Sequence, residues 1–244
     1  MRLHRRSSVS NNCRPDRSLR QSGPMVFFFL CAFAPLVAAQ TAFTQNSAEK
    51  ITLLKRAVVI VRTVDREGNP LLQGSGFFIA ADRIVTNMHV IKDAGLIHIE
   101  TFDGNTSTIR NVVAVNERED LALLQMEAPC ADATILQLAD SAPVEGEAIV
   151  VMSNPRGSQW KLTGGKVGPI WEFKGTGNRI QITASILPGS SGGPVVNKEG
   201  RVVGIAVMHL QSTDDLNFAV PARSLKVLQA STRTATFRPS ASGR

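Results

Sequence analysis

The chain contains no tyrosine, two tryptophans and an aromatic fraction of only 5% over 244 residues. It is equally poor in cysteine, with three. Two of these, Cys13 and Cys31, fall in an N-terminal stretch that reads as an export signal. Cys130 then stands alone, which excludes an internal disulfide and leaves the core to carry stability unaided. It also lacks the partners a zinc site would need. Long apolar runs are scarce too: Met25 to Val37 is too short to span a bilayer comfortably. Charge is the last deficit. The formal net charge is +7, but residues 1–39 hold six arginines against Asp16 and so account for +5 of it. About +2 remains for everything else, so nucleic-acid binding loses its main support.

What is present at the N-terminus is a targeting pattern. Arg2, Arg5, Arg6, Arg14, Arg17 and Arg20 form a basic region ahead of the apolar Met25 to Val37. Val37-Ala38-Ala39 before Gln40 has the small residues of a cleavage site. Residues 1–39 are therefore expected to be a signal peptide, and the protein to be secreted or periplasmic with no stable membrane anchor after cleavage. A retained anchor is the alternative, and Pro35 and the short run count against it. Translation from Met25 would strip the basic region.

Beyond the signal, residues 40–56 form an N-terminal segment with a short helix expected over Ser47–Lys55. Strand-like runs follow at Ala57–Val64, Gly74–Ile79, Arg83–Thr86, Ile97–Phe102, Ile109–Val115 and Leu121–Met126. Turn residues such as Glu67-Gly68-Asn69-Pro70 and Asp103-Gly104-Asn105 separate them. Residues 57–139 thus read as a first antiparallel barrel and 140–147 as a polar connector. The same texture resumes over 148–230. Runs there fall at Ala148–Met152, Trp160–Val167, Ile170–Phe173, Ile180–Ala184, Val195–Val196, Val202–His209 and Asn217–Val220, with a closing helix over Ser224–Ala230. The tail 231–244 is polar and expected to be disordered. The fold class is all-β: two six-stranded antiparallel β-barrels with the active site between them and a short C-terminal helix.

The chemistry centres on Gly189-Ser190-Ser191-Gly192-Gly193-Pro194. A serine hydroxyl needs a base to become a nucleophile. It also needs N–H donors aimed at the oxygen that becomes negative in acyl transfer. Glycines adopt positive φ and let main chain approach a substrate closely. A glycine-serine run by itself is also what a flexible linker looks like. Here it has company: Ile84 to Val90 ends an apolar run at His89, and Asp120 opens another at Leu121. His98 and His209 lack such settings, and Glu117 and Glu119 do not directly precede the run as Asp120 does.

Gly74-Ser75-Gly76-Phe77, Thr86-Asn87-Met88-His89-Val90, Asp120-Leu121-Ala122-Leu123-Leu124, Ser153-Asn154-Pro155-Arg156-Gly157, the Ser191 motif and Phe218-Ala219-Val220-Pro221 occur in this order. In this the chain resembles the trypsin/chymotrypsin-fold serine peptidases of the HtrA/Deg group, across roughly residues 55–228. The resemblance implies a chymotrypsin-like pair of barrels with Ser191 as nucleophile, His89 as base and then acid, and Asp120 orienting the imidazole. The main-chain N–H groups of Gly189 and Ser191 would form the oxyanion hole. Neither metal nor organic cofactor is implied. The implied substrates are unfolded or exposed polypeptides, and no nucleic acid.

By similarity, Ser185 and Asn217 would lie near the base of the specificity pocket, with Val207, Met208 and His209 along its wall. Without an acid at Ser185, a Lys or Arg side chain lacks a charge partner, and bulky His209 favours small or medium apolar ones. The chain departs from the group in several places. It has only a short tail where many relatives carry PDZ domains. Ser190 stands where the group usually has Asn, and Thr183-Ala184-Ser185 lacks an Asp. Relatives often form homotrimers through aromatic contacts near the N-terminus, for which Phe43 is the candidate here. The competing reading is a dormant chaperone-like or peptide-binding protein on the same fold. An α/β-hydrolase esterase is excluded by chain order, since that class needs Ser, Asp, His and this chain runs His89, Asp120, Ser191.

Overall fold

The computed structural model describes residues 48–155, 160–207 and 216–231. Helix α1, residues 48–57, leads into six strands. These are β1 (Val58–Val64), β2 (Pro70–Ala80), β3 (Arg83–Thr86), β4 (Leu96–Glu100), β5 (Thr106–Asn116) and β6 (Leu121–Met126), with a single helical turn α2 (Met88–Ile91) after β3. They close into a barrel in the order β1-β2-β3-β6-β5-β4. A second barrel follows, built from β7 (Ala148–Ser153), β8 (Lys161–Phe173), β9 (Gly177–Ile182), β10 (Pro194–Asn197), β11 (Val202–Val207) and β12 (Asn217–Pro221). Its order is β10-β11-β12-β9-β8-β7. Helix α3 (Ala222–Ser231) ends the described chain. All strand pairs within both barrels are antiparallel.

Strand patterning explains where the cores lie. β4 alternates, with Ile97 and Ile99 buried and His98 between them on the other face. β1, β6 and β11 instead read as almost continuous apolar runs, because both of their faces are covered. In β6, Ala122, Leu124 and Met126 fill the first barrel. Leu121 and Leu123 point the other way, into a cluster shared with Val196, Val202, Ile205 and Val220 of the second barrel. Leu225 and Leu228 of α3 join that same cluster. A separate group including Val151, Ile180 and Val203 fills the second barrel. Each such side chain contributes about 1.5–3 kcal/mol when fully buried. The shared cluster presses the two barrels together and so defines the seam on which the site lies.

Three elements differ from the sequence expectation. The runs Trp160–Val167 and Ile170–Phe173 are one strand, β8, whose register on β9 shifts between Val167 and Ile170. Gly168 and Pro169 fill that gap; proline offers no N–H to a ladder and is accommodated at such irregularities. The thirteen-residue strand thereby keeps the second barrel at six. The closing helix starts earlier than expected, at Ala222 directly after Pro221. His89, expected at a strand edge, sits on α2.

Candidate active site

The strand register of the first barrel places two candidate residues side by side. β3 and β6 are neighbours, with Thr86 opposite Ala122. The chain therefore leaves β3 beside the point where it enters β6, and residues 87–89 meet Asp120. Asn87, at the N-cap position of α2, makes no side-chain cap. Its Nδ2 instead donates to the Asp120 carbonyl at 2.8 Å, which also accepts from the Met88 N–H at 3.2 Å. The Asp120 carboxylate turns to His89. Oδ1 accepts the His89 backbone N–H at 2.8 Å, and Oδ2 lies 2.6 Å from the ring Nδ1.

These bonds hold Asp120 in the left-handed region, φ 55°, a conformation that Asp tolerates better than most residues. The Asp120 side chain is 18% exposed and that of His89 43%. The carboxylate is thus shielded while the ring remains open to an approaching molecule. With Nδ1 committed as donor to the carboxylate, Nε2 is left as the acceptor.

Ser191 comes from the other barrel, in the loop between β9 and β10. The loop is bonded both to itself and to β11: the N–H groups of Ser190, Gly192 and Gly193 donate to the carbonyls of Leu187, Ala206 and Ser190 at 2.9, 2.9 and 3.0 Å. Ser190 and Ser191 are both buried. The Ser190 hydroxyl accepts from Leu187 N–H at 3.3 Å and from the Ser153 hydroxyl at 3.1 Å. The Ser190 hydroxyl therefore anchors the loop to the end of β7. Gly189 has φ 91°, which only glycine adopts without strain.

First-barrel residues stitch this loop to the imidazole side. The Ser75 N–H donates to the Ser191 carbonyl at 2.8 Å. The Ser75 hydroxyl donates to the Gly189 carbonyl at 2.8 Å and accepts the Asn154 N–H at 3.0 Å. Thr86 donates its hydroxyl to the Ser75 carbonyl at 2.8 Å. Gly192 (φ 88°) fits so closely here that a Cβ would collide with the Ser75 carbonyl and the Thr86 hydroxyl. At Gly74 a Cβ would stand 2.7 Å from the Val90 side chain and 3.1 Å from the Ser191 carbonyl. The turn bearing His89 and the backbone of Ser191 thus crowd the same glycine.

Of the expected pocket residues, Ser185 is exposed. It is linked to Asn217 through the next residue, whose N–H (Ile186) donates to Asn217 Oδ1 at 3.1 Å. Val207 is buried at the end of β11 opposite Phe218, one residue from Asn217. Met208 and His209 lie outside the described residues, as do the signal segment and Phe43. A cavity of about 370 Å³ opens beside α2, lined by Met88, Ile91, Val112 and Val115 with Lys92, Asp93 and Glu117 among its polar members. Ser75, Thr86 and Ser190 carry the geometry, yet only their place in motifs flagged them. Glu119 and Arg179, an ion pair at 3.3 Å next to Asp120, carried no signal in the sequence.

Comparison with known proteins agrees with this geometry. The family model described as trypsin-like peptidase domain matches residues 74–205, more than half of the chain. The anti-sigma-I factor RsgI9 of Acetivibrio thermocellus is 28% identical over 181 residues, covering 74% of this chain and 25% of that protein. A Chlamydia muridarum protein named "Probable periplasmic serine endoprotease DegP-like" is 30% identical over 167 residues, 64% of this chain and 32% of that one. The chain thus spans a quarter to a third of the length of these two relatives. Among solved structures, the active form of the Rv3671c protease from M. tuberculosis superposes with a TM-score of 0.70. It is 22% identical, over 78% of this chain and 86% of that one, a likeness of fold. The chain belongs to the trypsin-like peptidase domain family.

Proposed function

We propose that the protein is an exported serine endopeptidase that hydrolyses peptide bonds of unfolded or exposed polypeptides through His89, Asp120 and Ser191. One observation carries this reading. Asp120 grips both ring and backbone of His89, while the His89 turn and the Ser191 backbone meet at Gly74. His89 Nε2 takes the Ser191 hydroxyl proton as Oγ bonds to the scissile carbonyl carbon. The imidazolium so formed is stabilised by Asp120 and returns the proton to the leaving amine as the C–N bond breaks. Water repeats the sequence on the resulting ester and frees Ser191. The N–H groups of Gly189 and Ser191 would serve the oxyanion, each worth about 2.7–4 kcal/mol of transition-state stabilisation.

Ser185 and Asn217, with Val207, Met208 and His209, would receive the side chain before the scissile bond, and selection would fall on small or medium apolar residues. The cavity beside α2, lined by Met88, Ile91, Val112 and Val115, offers a second apolar recess on the first barrel. Profiling the cuts made in a denatured protein tests this, and cleavage mainly after Lys, Arg or large aromatics rejects it. A DegP-like relative is named periplasmic, which accords with export. Trimers joined through Phe43 belong to the same proposal, and sedimentation of the protein beside F43A tests them.

The deciding experiment is casein degradation by the mature protein beside Ser191→Ala, with a phosphonate label on the wild type. Loss on the order of 10⁶ in kcat is expected. Equal activity in both proteins refutes the assignment. Inactivity of both, with no label taken up, supports a peptide-binding role instead.

A further inference from the structure

Glu119 lies one residue before Asp120, yet residues of the second barrel and α3 surround its carboxylate. Arg179 of β9 donates from Nη1 to Glu119 Oε2 at 3.3 Å, and the Ser224 hydroxyl of α3 donates to the same oxygen at 3.3 Å. Gly177, at the start of β9, leaves the space the carboxylate fills, since a Cβ there would collide with it. The Arg179 side chain is 6% exposed and that of Glu119 18%. Arg179 also donates to the Asn178 carbonyl at 3.0 Å.

Burying this pair is costly, and an apolar pair of similar volume would hold the barrels together as well or better. Ile180 and Ile182, on the opposite face of the strand, fill the second barrel as ordinary core residues. Stability of the seam therefore does not explain a guanidinium here. Its position does. The turn from Asn116 is held by two further bonds, Glu119 N–H to Asn116 Oδ1 at 3.1 Å and Asp120 N–H to the Glu117 carbonyl at 3.3 Å. It delivers Asp120 in a left-handed conformation without glycine. Rotation of the Glu119–Asp120 peptide would carry the Asp120 carbonyl off Asn87 and Met88 and its carboxylate off His89. Anchoring the Glu119 side chain to the opposite barrel opposes that rotation. Arg179 also lies within electrostatic reach of both carboxylates: burial pulls its guanidinium below the usual range, and Glu119 and then Asp120 push it back up.

We propose that Glu119 and Arg179 are positioning residues: their buried ion pair across the seam sets the backbone at Asp120 and, through it, the imidazole of His89. The proposal rests on the peptidase reading above. Docking of the second barrel thereby bears on the orientation of a base carried by the first.

The test uses the full-length protein carrying Glu119→Gln with Arg179→Met together, which leaves no orphan buried charge, and Arg179→Lys separately. Three quantities are measured: the deshielded proton resonance of His89 Nδ1–H, kcat and KM on a casein-derived peptide, and thermal unfolding. In the folded double variant we expect the resonance to shift or broaden. We expect kcat to fall by on the order of 10²-fold, the loss typical of a small misplacement of a catalytic group, with KM little changed. Arg179→Lys, which keeps the charge but not the planar fork, should fall between the two. An unchanged resonance with wild-type kcat in a folded variant overturns the proposal, as does a rise in KM alone. The resonance is read without turnover. A wild type that shows it but cleaves nothing sinks the peptidase reading, and the variants still decide the role of the ion pair.

Discussion

The two halves of the site are built in different ways. On the first barrel, His89 and Asp120 flank adjacent hydrogen-bonded strands, and Asp120 makes four bonds to residues 87–89, two of them to His89. Their geometry follows mainly from the register of β3 on β6. On the second barrel, Ser191 sits in a glycine-rich loop whose position depends on Ser75 and Thr86 of the opposite barrel. The His89–Asp120 pair is positioned by local pairing and Ser191 by docking. It follows that damage at the seam should disturb Ser191 sooner than the His89–Asp120 pair. If the proposal above holds, the Glu119–Arg179 bridge lets docking bear on His89 as well.

The largest effect should come from breaking the local half. Asp120→Asn forces the wrong imidazole tautomer and should lower kcat by about 10⁴-fold, with phosphonate labelling of Ser191 slowed in parallel. Breaking the docked half comes next. Gly192→Ala places a methyl group against the Ser75 carbonyl at a positive φ and should cost about 1–3 kcal/mol for the backbone alone. It should also depress casein cleavage on the order of 10²-fold. The His89 Nδ1–H resonance should stay in place, and its movement would contradict the division between the halves.

Ser75→Ala is gentler, because it deletes one hydroxyl that serves Gly189 and Asn154. It should cost about 1–3 kcal/mol in chemical denaturation and lower kcat with little change in KM. Smallest of all is a change remote from both halves. Asp65 is held below its ordinary value of 3.8, chiefly by the Asn69 side chain and then by backbone N–H groups of its loop. A carboxylate with a depressed folded pKa adds stability above the unfolded value, and that stability fades as the pH drops through the folded one. Asp65→Ala should therefore lower Tm slightly at neutral pH. The difference should vanish in acid below 3.8, and activity should be untouched throughout.

Much of the fold could be read from the chain because it rests on local regularities. Short apolar runs broken by turn residues implied two antiparallel barrels of similar size, and the structure has two, each of six strands. The β8 bulge was less legible, since a Gly-Pro pair inside a strand looks the same as one between strands. The turn at α2 was hidden for a related reason: four residues are too few to show a helical period. His89, Asp120 and Ser191 stood out by residue type and setting. Ser75 and Thr86, by contrast, are ordinary strand residues until the loop carrying Gly192 packs against them.

Side-chain chemistry and periodicity belong to each stretch of chain whether or not it is folded. For this protein they determined the β architecture, the two halves and the identity of the candidate reacting groups. Only the tertiary structure decided which hydroxyl anchors the Ser191 loop, and that Glu119 meets Arg179 from 60 residues away. Such pairings exist only once two closed barrels have docked, because contact at that separation is set by the packing of the seam and leaves no periodic trace in either segment.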